Sequence, residues 1–272
     1  MENDLSALSY LQIEKNSNNI FEGYLDFKID ISEVAELLKI LEKDSRKNVK
    51  NLGFKIQKKL EARNKEIKRV KNMYDFDKSY MKKGFLCGVD EVGRGPLAGP
   101  IVSGAVILPL DYKSEKDLLL GIKDSKMLSS TLREELSEII KAKAVAYSIY
   151  QIENITIDLK GIAFCNNEIF RKAVGLLKEK PSIVLSDGYP IKKLDFKNEF
   201  IIKGDQKSAS IACASIIAKV YRDNLMKEYS RIYPQYSFED NMGYGTKIHI
   251  EALKTYGPCE IHRKCFLNNI LQ

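Results

Sequence analysis

The residues of this chain best suited to chemistry are carboxylates placed where apolar runs end. Asp90 and Glu91 follow FLCGV, Asp187 closes SIVLSD ahead of Gly188, and Asp205 follows FIIKG. Each has a mundane explanation, since Asp-Gly is a common turn pair and an aspartate before a helix makes a good N-cap. Taken together they say more. Four like charges at the C-terminal ends of three strands would gather at one sheet edge, where the sites of α/β proteins form. Such a cluster repels itself unless a divalent cation neutralises it, and all-oxygen ligation selects Mg²⁺ or Mn²⁺ over zinc. Asp223 is set aside. It follows Asp205 by 18 residues along what reads as one helix, which places it roughly 27 Å away at a rise of 1.5 Å per residue.

Two other constellations compete for a role. Gly93-Arg94-Gly95-Pro96-Leu97-Ala98 formally matches the dinucleotide fingerprint GxGxxA. That fingerprint needs a helix to open within it, whereas here Pro96 and Pro100 interrupt and IVSGAVIL continues as a strand. The neighbouring Asp90 and Glu91 would also repel a pyrophosphate. Cys259-x-x-His262-x-x-Cys265 offers three zinc-type ligands but no fourth at finger spacing, so it reads as a packed C-terminal segment. With only His249 and His262 in the chain, a histidine-based mechanism has little material.

These side chains must be positioned by a sheet. Strand-length apolar runs occur at Phe85–Val89, Ile101–Leu108 and Ala144–Ile152, and two short buried runs at Ile183–Leu185 and Phe200–Ile202. Helical spacing marks Ser130–Ala142, Asp158–Lys178, Lys207–Tyr229 and Lys247–Tyr256. The expected fold class is α/β, a mixed five-stranded sheet flanked by helices over residues 84–272 with a C-terminal helical segment.

Residues 1–80 read as a separate, smaller and α-rich unit. It comprises a short strand at Gly23–Ile29, a helix opened by Asp30 and Glu33 in capping-box spacing, and a second helix from Val49 to Val70 that Gly53 weakens or bends. Tyr74–Lys83 reads as a linker. Between Lys43 and Lys71 stand 12 Lys/Arg against 3 Asp/Glu, out of 44 and 37 in the whole chain. The net charge of +7 therefore resides in this one segment, and the remainder is slightly acidic. Concentrated positive charge suits a polyanion such as a nucleic-acid backbone; the competing explanation is a solvated helix face.

The 272 residues, 44% hydrophobic and 30% charged, suffice for a full core. No stretch reaches the ~18 consecutive apolar residues of a membrane span. The acidic start MENDLSALSY argues against an export signal, and five scattered cysteines suit a reducing cytoplasm.

The successive stretches GVDEVGRGPLAGPIVSGAVIL, DSKMLS, SDGYP, KGDQKSASIACASIIAKVYRD and MGYGTKIHIEALKTYGPCEIHRKCF resemble, in order and spacing, the motifs of the bacterial ribonuclease HII family over residues 85–266. LEKDSRKNVKNL is similar to the extension that precedes the catalytic domain in some members. The resemblance implies a ribonuclease H-like fold. It also implies cleavage of the RNA strand of RNA–DNA hybrids, and cleavage 5′ to single ribonucleotides embedded in duplex DNA, with two Mg²⁺ or Mn²⁺ ions in the active complex. It places the metal ligands on Asp90, Glu91, Asp187 and Asp205, the four carboxylates reached above. It places substrate recognition on Gly93, Arg94, Gly95 and Tyr244, and Lys126 and Lys207 join Arg94 as candidates for phosphate contacts. Ribonuclease HIII, the nearest relative, carries a different residue between the glycines, so Arg94 argues for HII. Met242, Met127 and Cys265 depart from the family pattern without touching the carboxylates. A cytoplasmic monomer that uses residues 1–80 to bind substrate is the expectation.

Overall fold

The structure, a computed structural model, describes residues 5–268 and 270–271. The chain forms two compact units. Residues up to Arg69, with Ser114–Leu118, make one; Val70–Lys113 and the chain from Leu119 onward make the other.

In the first unit, α1 (Tyr10–Leu25) opens at a reciprocal capping box between Ser9 and Gln12. Asp30 caps α2 (Ile31–Lys43) by accepting the N–H of Ser32 at 2.9 Å. The third helix, α3 (Lys47–Tyr80), runs for 34 residues and belongs to both units. Val34, Leu37 and Leu41 of α2 pack with Val49, Leu52, Ile56 and Leu60 of α3, while Ile13 and Phe21 of α1 complete the core. Gly53 does not end the helix. A Cβ there would stand 3.1 Å from the Cβ of Leu41, so the glycine admits the close crossing of α2.

Two expectations for this region fail. No strand forms at Gly23–Ile29: α1 continues to Leu25, and the Gly23 carbonyl then accepts the N–H groups of Lys28 and Ile29 in a closing turn. An isolated strand there would have left its backbone groups unpaired. Tyr74–Lys83 is no linker either, because α3 persists to Tyr80. Its last turns bury Met73, Tyr74 and Asp77, and Asp77 accepts the N–H of Ser210 at 2.8 Å. A polar-looking stretch thus hides three anchoring side chains.

The second unit is built on a five-stranded sheet of order β3-β2-β1-β4-β5. The strands are β1 (Leu86–Val92), β2 (Ile101–Ile107), β3 (Ala146–Ile152), β4 (Ile183–Asp187) and β5 (Lys197–Ile201). β1, β2 and β3 pair antiparallel, whereas β4 runs parallel to β1, and β5 parallel to β4. The sheet is mixed, as expected. β5 is an edge strand exposed along most of its length, with Phe200 46% exposed and only Ile201 buried; Ile202, just past its end, is 65% exposed.

The helices that follow are α4 (Ser130–Lys143), α5 (Asn154–Lys160), α6 (Ile162–Gly175), α7 (Gly204–Lys207), α8 (Ala209–Ile232), α9 (Phe238–Asn241), α10 (Lys247–Tyr256) and α11 (Lys264–Leu267). Two helices expected to be single are divided. Gly161, at φ +78°, separates α5 from α6, and the extended Ser208 separates α7 from α8. Ser208 also caps α8 by accepting the N–H of Ile211 at 3.1 Å, the role expected of Asp205.

Alternation along the strands decides which helix covers which face. Cys87 and Val89 of β1 join Ile169, Phe170 and Ala173 of α6 in one core cluster. Gly88, between them, faces α8, where a Cβ would lie 2.2 Å from the carbonyl carbon of Ser210. On β2, a Cβ at Gly104 would lie 2.5 Å from the carbonyl oxygen of Ala214. These two glycines let α8, buried along its first ten residues, lie directly on the sheet beside the carboxylates.

Candidate active site

Asp90 and Glu91 lie within β1 rather than beyond its end, opposite Gly104 and Ser103 of β2. Consecutive strand residues point to opposite faces. Asp90 therefore shares the face of Gly88 and reaches Ser215 of α8, whose side chain hydrogen-bonds it. Glu91 turns the other way and accepts the hydroxyl of Tyr189 at 2.6 Å.

The parallel register pairs Val89 with Ser186, so Asp90 and Asp187 follow side by side on neighbouring strands. An oxygen of Asp187 accepts the N–H of Gly204 at 2.7 Å, which draws the start of α7, and with it Asp205, to the same edge. Asp205 thus arrives in the first turn of a four-residue helix beyond β5, not at a strand end.

The electrostatics bear the marks of this gathering. Burial first, then the charges of Glu91 and Asp187, push the Asp90 carboxyl well above the usual carboxylate range. Burial and the Asp187 charge raise Glu91 as well, although the Tyr189 hydroxyl offsets part of that. Asp205 is raised by burial, then by Asp187 and Asp124, with Lys126 acting in opposition. Each of these carboxylates is costly to ionise in its surroundings. Among the described residues, no three His, Cys, Asp or Glu side chains converge tightly enough to form a metal-binding group. The donor set fits a hard divalent cation: four carboxylates at one edge, three of them held above their ordinary range.

The glycine–arginine–glycine loop stands beside them. Arg94 is exposed and lies over the Tyr189 ring, its Cζ 5.4 Å from the ring centre and its Nη1 3.4 Å from the hydroxyl. The two glycines differ in purpose. At Gly93, with φ +89°, a Cβ would collide with Arg222 Nε at 2.3 Å and the Pro100 carbonyl oxygen at 2.7 Å, so its lack of a side chain serves the interior. At Gly95 a Cβ would meet only Cε1 of Tyr244, at 3.9 Å, so this is the glycine that leaves room outside.

Tyr244 is 44% exposed and is held from below by its own backbone. The Cys259 N–H donates to Nδ1 of His262, which leaves the His262 proton on Nε2. That proton is given to Nε2 of His249 at 2.9 Å, so Nδ1 of His249 donates to the Tyr244 carbonyl at 2.8 Å. The two histidines, packed edge-on against Tyr236 and Phe238, are thus a brace for the tyrosine loop. His262 is engaged on both ring nitrogens, in keeping with a packed segment rather than a zinc site.

Lys126 sits in a 3-10 turn (Ser125–Met127) capped by Asp124, and Ser125 Oγ lies 3.1 Å from Ser215 Oγ. The Asp90–Ser215–Ser125 chain therefore ties the lysine's turn to the carboxylates. Lys207 is exposed at the end of α7, two residues past Asp205. Asp223, set aside from the sequence, is buried in ion pairs with Arg133 (3.3 Å) and Lys219 (2.7 Å). Met242 contributes its side chain to the apolar cluster beneath the tyrosine loop, while Met127 and Cys265 are exposed.

Sequence reasoning missed Tyr189, Ser215, Arg222 and Arg263. All four lie inside the quoted motif stretches, but nothing local marks them, because each has partners 90 to 170 residues away in the chain.

The description "Ribonuclease HII" belongs to the family model that matches residues 87–269, and "Ribonuclease HII N-terminal domain" to the one that matches residues 25–81. The chain is 60% identical over 246 residues to the ribonuclease HII of Clostridium perfringens strain 13, covering 90% of this chain and 89% of that one. It is 51% identical to the ribonuclease HII of Clostridium botulinum strain Langeland over 99% of each chain. Among solved structures, the ribonuclease H2 of Pyrococcus horikoshii OT3 is similar at a TM-score of 0.59 and 26% identity, covering 69% of this chain and 97% of that one. The Archaeoglobus fulgidus ribonuclease HII, solved in complex with PCNA, is similar at 0.58 with the same identity and coverage. The five-stranded sheet, the edge of carboxylates and relatives that match nearly end to end agree: this chain belongs to the ribonuclease HII family.

Proposed function

We propose that this chain, a ribonuclease of that family, hydrolyses the RNA strand of RNA–DNA hybrids and cuts 5′ to single ribonucleotides in duplex DNA. The products carry 3′-OH and 5′-phosphate ends. The observation that carries this reading is the gathering of Asp90, Glu91, Asp187 and Asp205 at one sheet edge, where burial and mutual repulsion raise three of them. A divalent metal ion is typical of the family; here the four carboxylates would hold Mg²⁺ or Mn²⁺, two ions in the active complex. Held by Asp90, Glu91, Asp187 and Asp205, such cations would supply activation of a water and stabilisation of the charge on the departing 3′ oxygen.

The remaining roles fall to the chain's own residues. Gly95 leaves space for a ribose, whose 2′-hydroxyl is what distinguishes RNA from DNA. Tyr244, opposite Gly95, presents its ring to the adjoining deoxyribose. Gly93 contributes main chain only. Arg94, laid on the face of Tyr189, offers a planar fork to a phosphate, and Lys126 and Lys207 supply point charges to others. Residues 1–80, with their basic helix, add phosphate contacts along the duplex. We place the enzyme in the cytoplasm as a monomer; among the described residues, no helix is long and apolar enough to cross a membrane.

A titration of Mg²⁺ and Mn²⁺ on three duplexes tests the reading: one with an all-RNA strand, one with a single ribonucleotide, one all-DNA. The first two should be cut and the third left intact. Cleavage of the hybrid alone would favour a ribonuclease HIII-like specificity instead. Asp90→Asn should abolish cleavage while leaving hybrid binding in place, and undiminished cleavage by that variant would remove the metal assignment.

A further inference from the structure

Beneath the glycine–arginine–glycine loop lie two arginines that no catalytic role explains. Arg222 and Arg263 are both completely buried. Arg222 donates through Nε to the carbonyl of Pro100 (3.0 Å), through Nη1 to that of Met242 (2.9 Å) and through Nη2 to that of Ala98 (3.1 Å). Arg263 donates through Nε to Gly99 (2.9 Å), through Nη1 to Arg94 (3.0 Å) and through Nη2 to Gly93 (2.6 Å). Six carbonyls from one loop and its neighbour thus converge on two guanidinium groups.

Neither guanidinium is hydrogen-bonded to a carboxylate among the described residues. Asp223, next to Arg222, is committed to Arg133 and Lys219. Asp158, the acid closest in influence to Arg263, accepts the N–H groups of Lys264 and Cys265. Burial pulls Arg222 down to about 10, and burial together with the Arg222 charge pulls Arg263 down to about 9, so both stay charged at neutral pH. Each buried guanidinium is thus satisfied by main-chain carbonyls rather than by a hydrogen-bonded carboxylate. A second observation points outward. Among the described residues the N–H groups of Gly93, Arg94 and Gly95 donate to no acceptor in the chain, while the carbonyls of Gly93 and Arg94 are pinned inward.

We propose that Arg222 and Arg263 are positioning residues for ribose recognition. They hold the loop's carbonyls inward, which leaves its amides to donate to the substrate, and their charges make the loop a cationic seat for the sugar-phosphate beside the cut. The inference rests on the reading of this loop as the ribose seat. Only arginine satisfies the geometry, since its planar fork reaches three carbonyls at once, whereas a lysine ammonium keeps the charge but not the fork.

The experiment compares Arg263→Lys and Arg222→Lys with the unmodified protein. Fluorescence anisotropy with EDTA present, so that nothing is cut, gives affinities for a duplex with one ribonucleotide and for the same duplex in all-DNA form. The preference for the ribonucleotide duplex should fall about tenfold in each variant, the equivalent of one charge-assisted hydrogen bond. Affinity for the all-DNA duplex should change less, a split that general destabilisation would not produce. If both variants fold, as judged by thermal melting, and keep the full preference, the proposal is overturned while the loop reading survives. If the unmodified protein shows no preference, the loop reading itself fails and the proposal with it. Should neither variant fold, hydrogen exchange on the unmodified protein decides: the ribonucleotide duplex, but not the all-DNA duplex, should slow exchange across residues 93–95, and equal exchange with both overturns the proposal.

Discussion

Tyr189 shows how much one hydroxyl can do in a crowded anionic site. Its donation to Glu91 at 2.6 Å is the bond that fixes that carboxylate's direction, and its ring is the platform for Arg94. The hydroxyl also lies within reach of Arg94 Nη1 at 3.4 Å, so a single residue couples a metal-ligand candidate to a phosphate-contact candidate. Tyr189→Phe keeps the platform and removes the bond. The expected outcome is a kcat lowered about tenfold, in proportion to the removal of a charged hydrogen bond, with KM for the hybrid little altered. Steady-state kinetics across a metal titration checks it, and an equal change in kcat and KM would assign the tyrosine to substrate binding instead.

At the scale of elements, the decisive packing is that of α8 on the sheet. Gly88 and Gly104 permit it, and Ser215 meets Asp90 because of it. A methyl at Gly88 has nowhere to go, since its nearest neighbours are backbone atoms of Ser210 and Ile211. Gly88→Ala should destabilise the protein by about 3 kcal/mol, the upper range for overpacking a core, as read from urea unfolding. The C-terminal elements carry a different dependence. Burial lowers His262 to about 4, and the nearby His249 acts in the same direction. Above pH ~6.5 the ring is neutral both folded and unfolded, so its bonds contribute in full. As the pH falls from there towards 4, the unfolded chain takes up the proton that the folded one refuses, and stability drops by about 3 kcal/mol. The melting temperature should therefore decline through this window, and His262→Asn should flatten that decline.

For the whole molecule, the basic charge is concentrated in the unit that holds α1 and α2, and it lies on exposed positions of α3. Lys50, Lys55, Lys58 and Lys65 are all exposed, whereas the apolar face of the same helix is buried. Replacing these four lysines by Gln should leave the melting temperature nearly unchanged and weaken binding to hybrid duplexes at low salt. The slope of log affinity against log salt should become shallower by about 0.9 for every phosphate that the variant no longer neutralises. An unchanged slope would make this a solvated face.

Local pattern sufficed for a good part of this protein. Four strands were legible as apolar runs and the fifth through its last residues, because alternation and run length are written along the chain. The helix α2 was legible through its cap and periodicity, and α4 and α10 through helical spacing. The four carboxylates stood out because residue type and place after an apolar run need no partner to be recognised. The structure decided what depended on distant neighbours. The continuation of α3 past Tyr74 rests on burial against the second unit's own core, and the division of α7 from α8 on where a serine is extended. Asp90 and Glu91, adjacent in sequence, part across the sheet because a strand sends consecutive side chains to opposite faces. Gly93 and Gly95, alike in sequence, serve opposite sides of their loop because only one of them has an arginine behind it. Sequence by itself determined which residues could do the chemistry; tertiary packing decided which way each of them faces, since direction is set by partners that chain spacing does not encode.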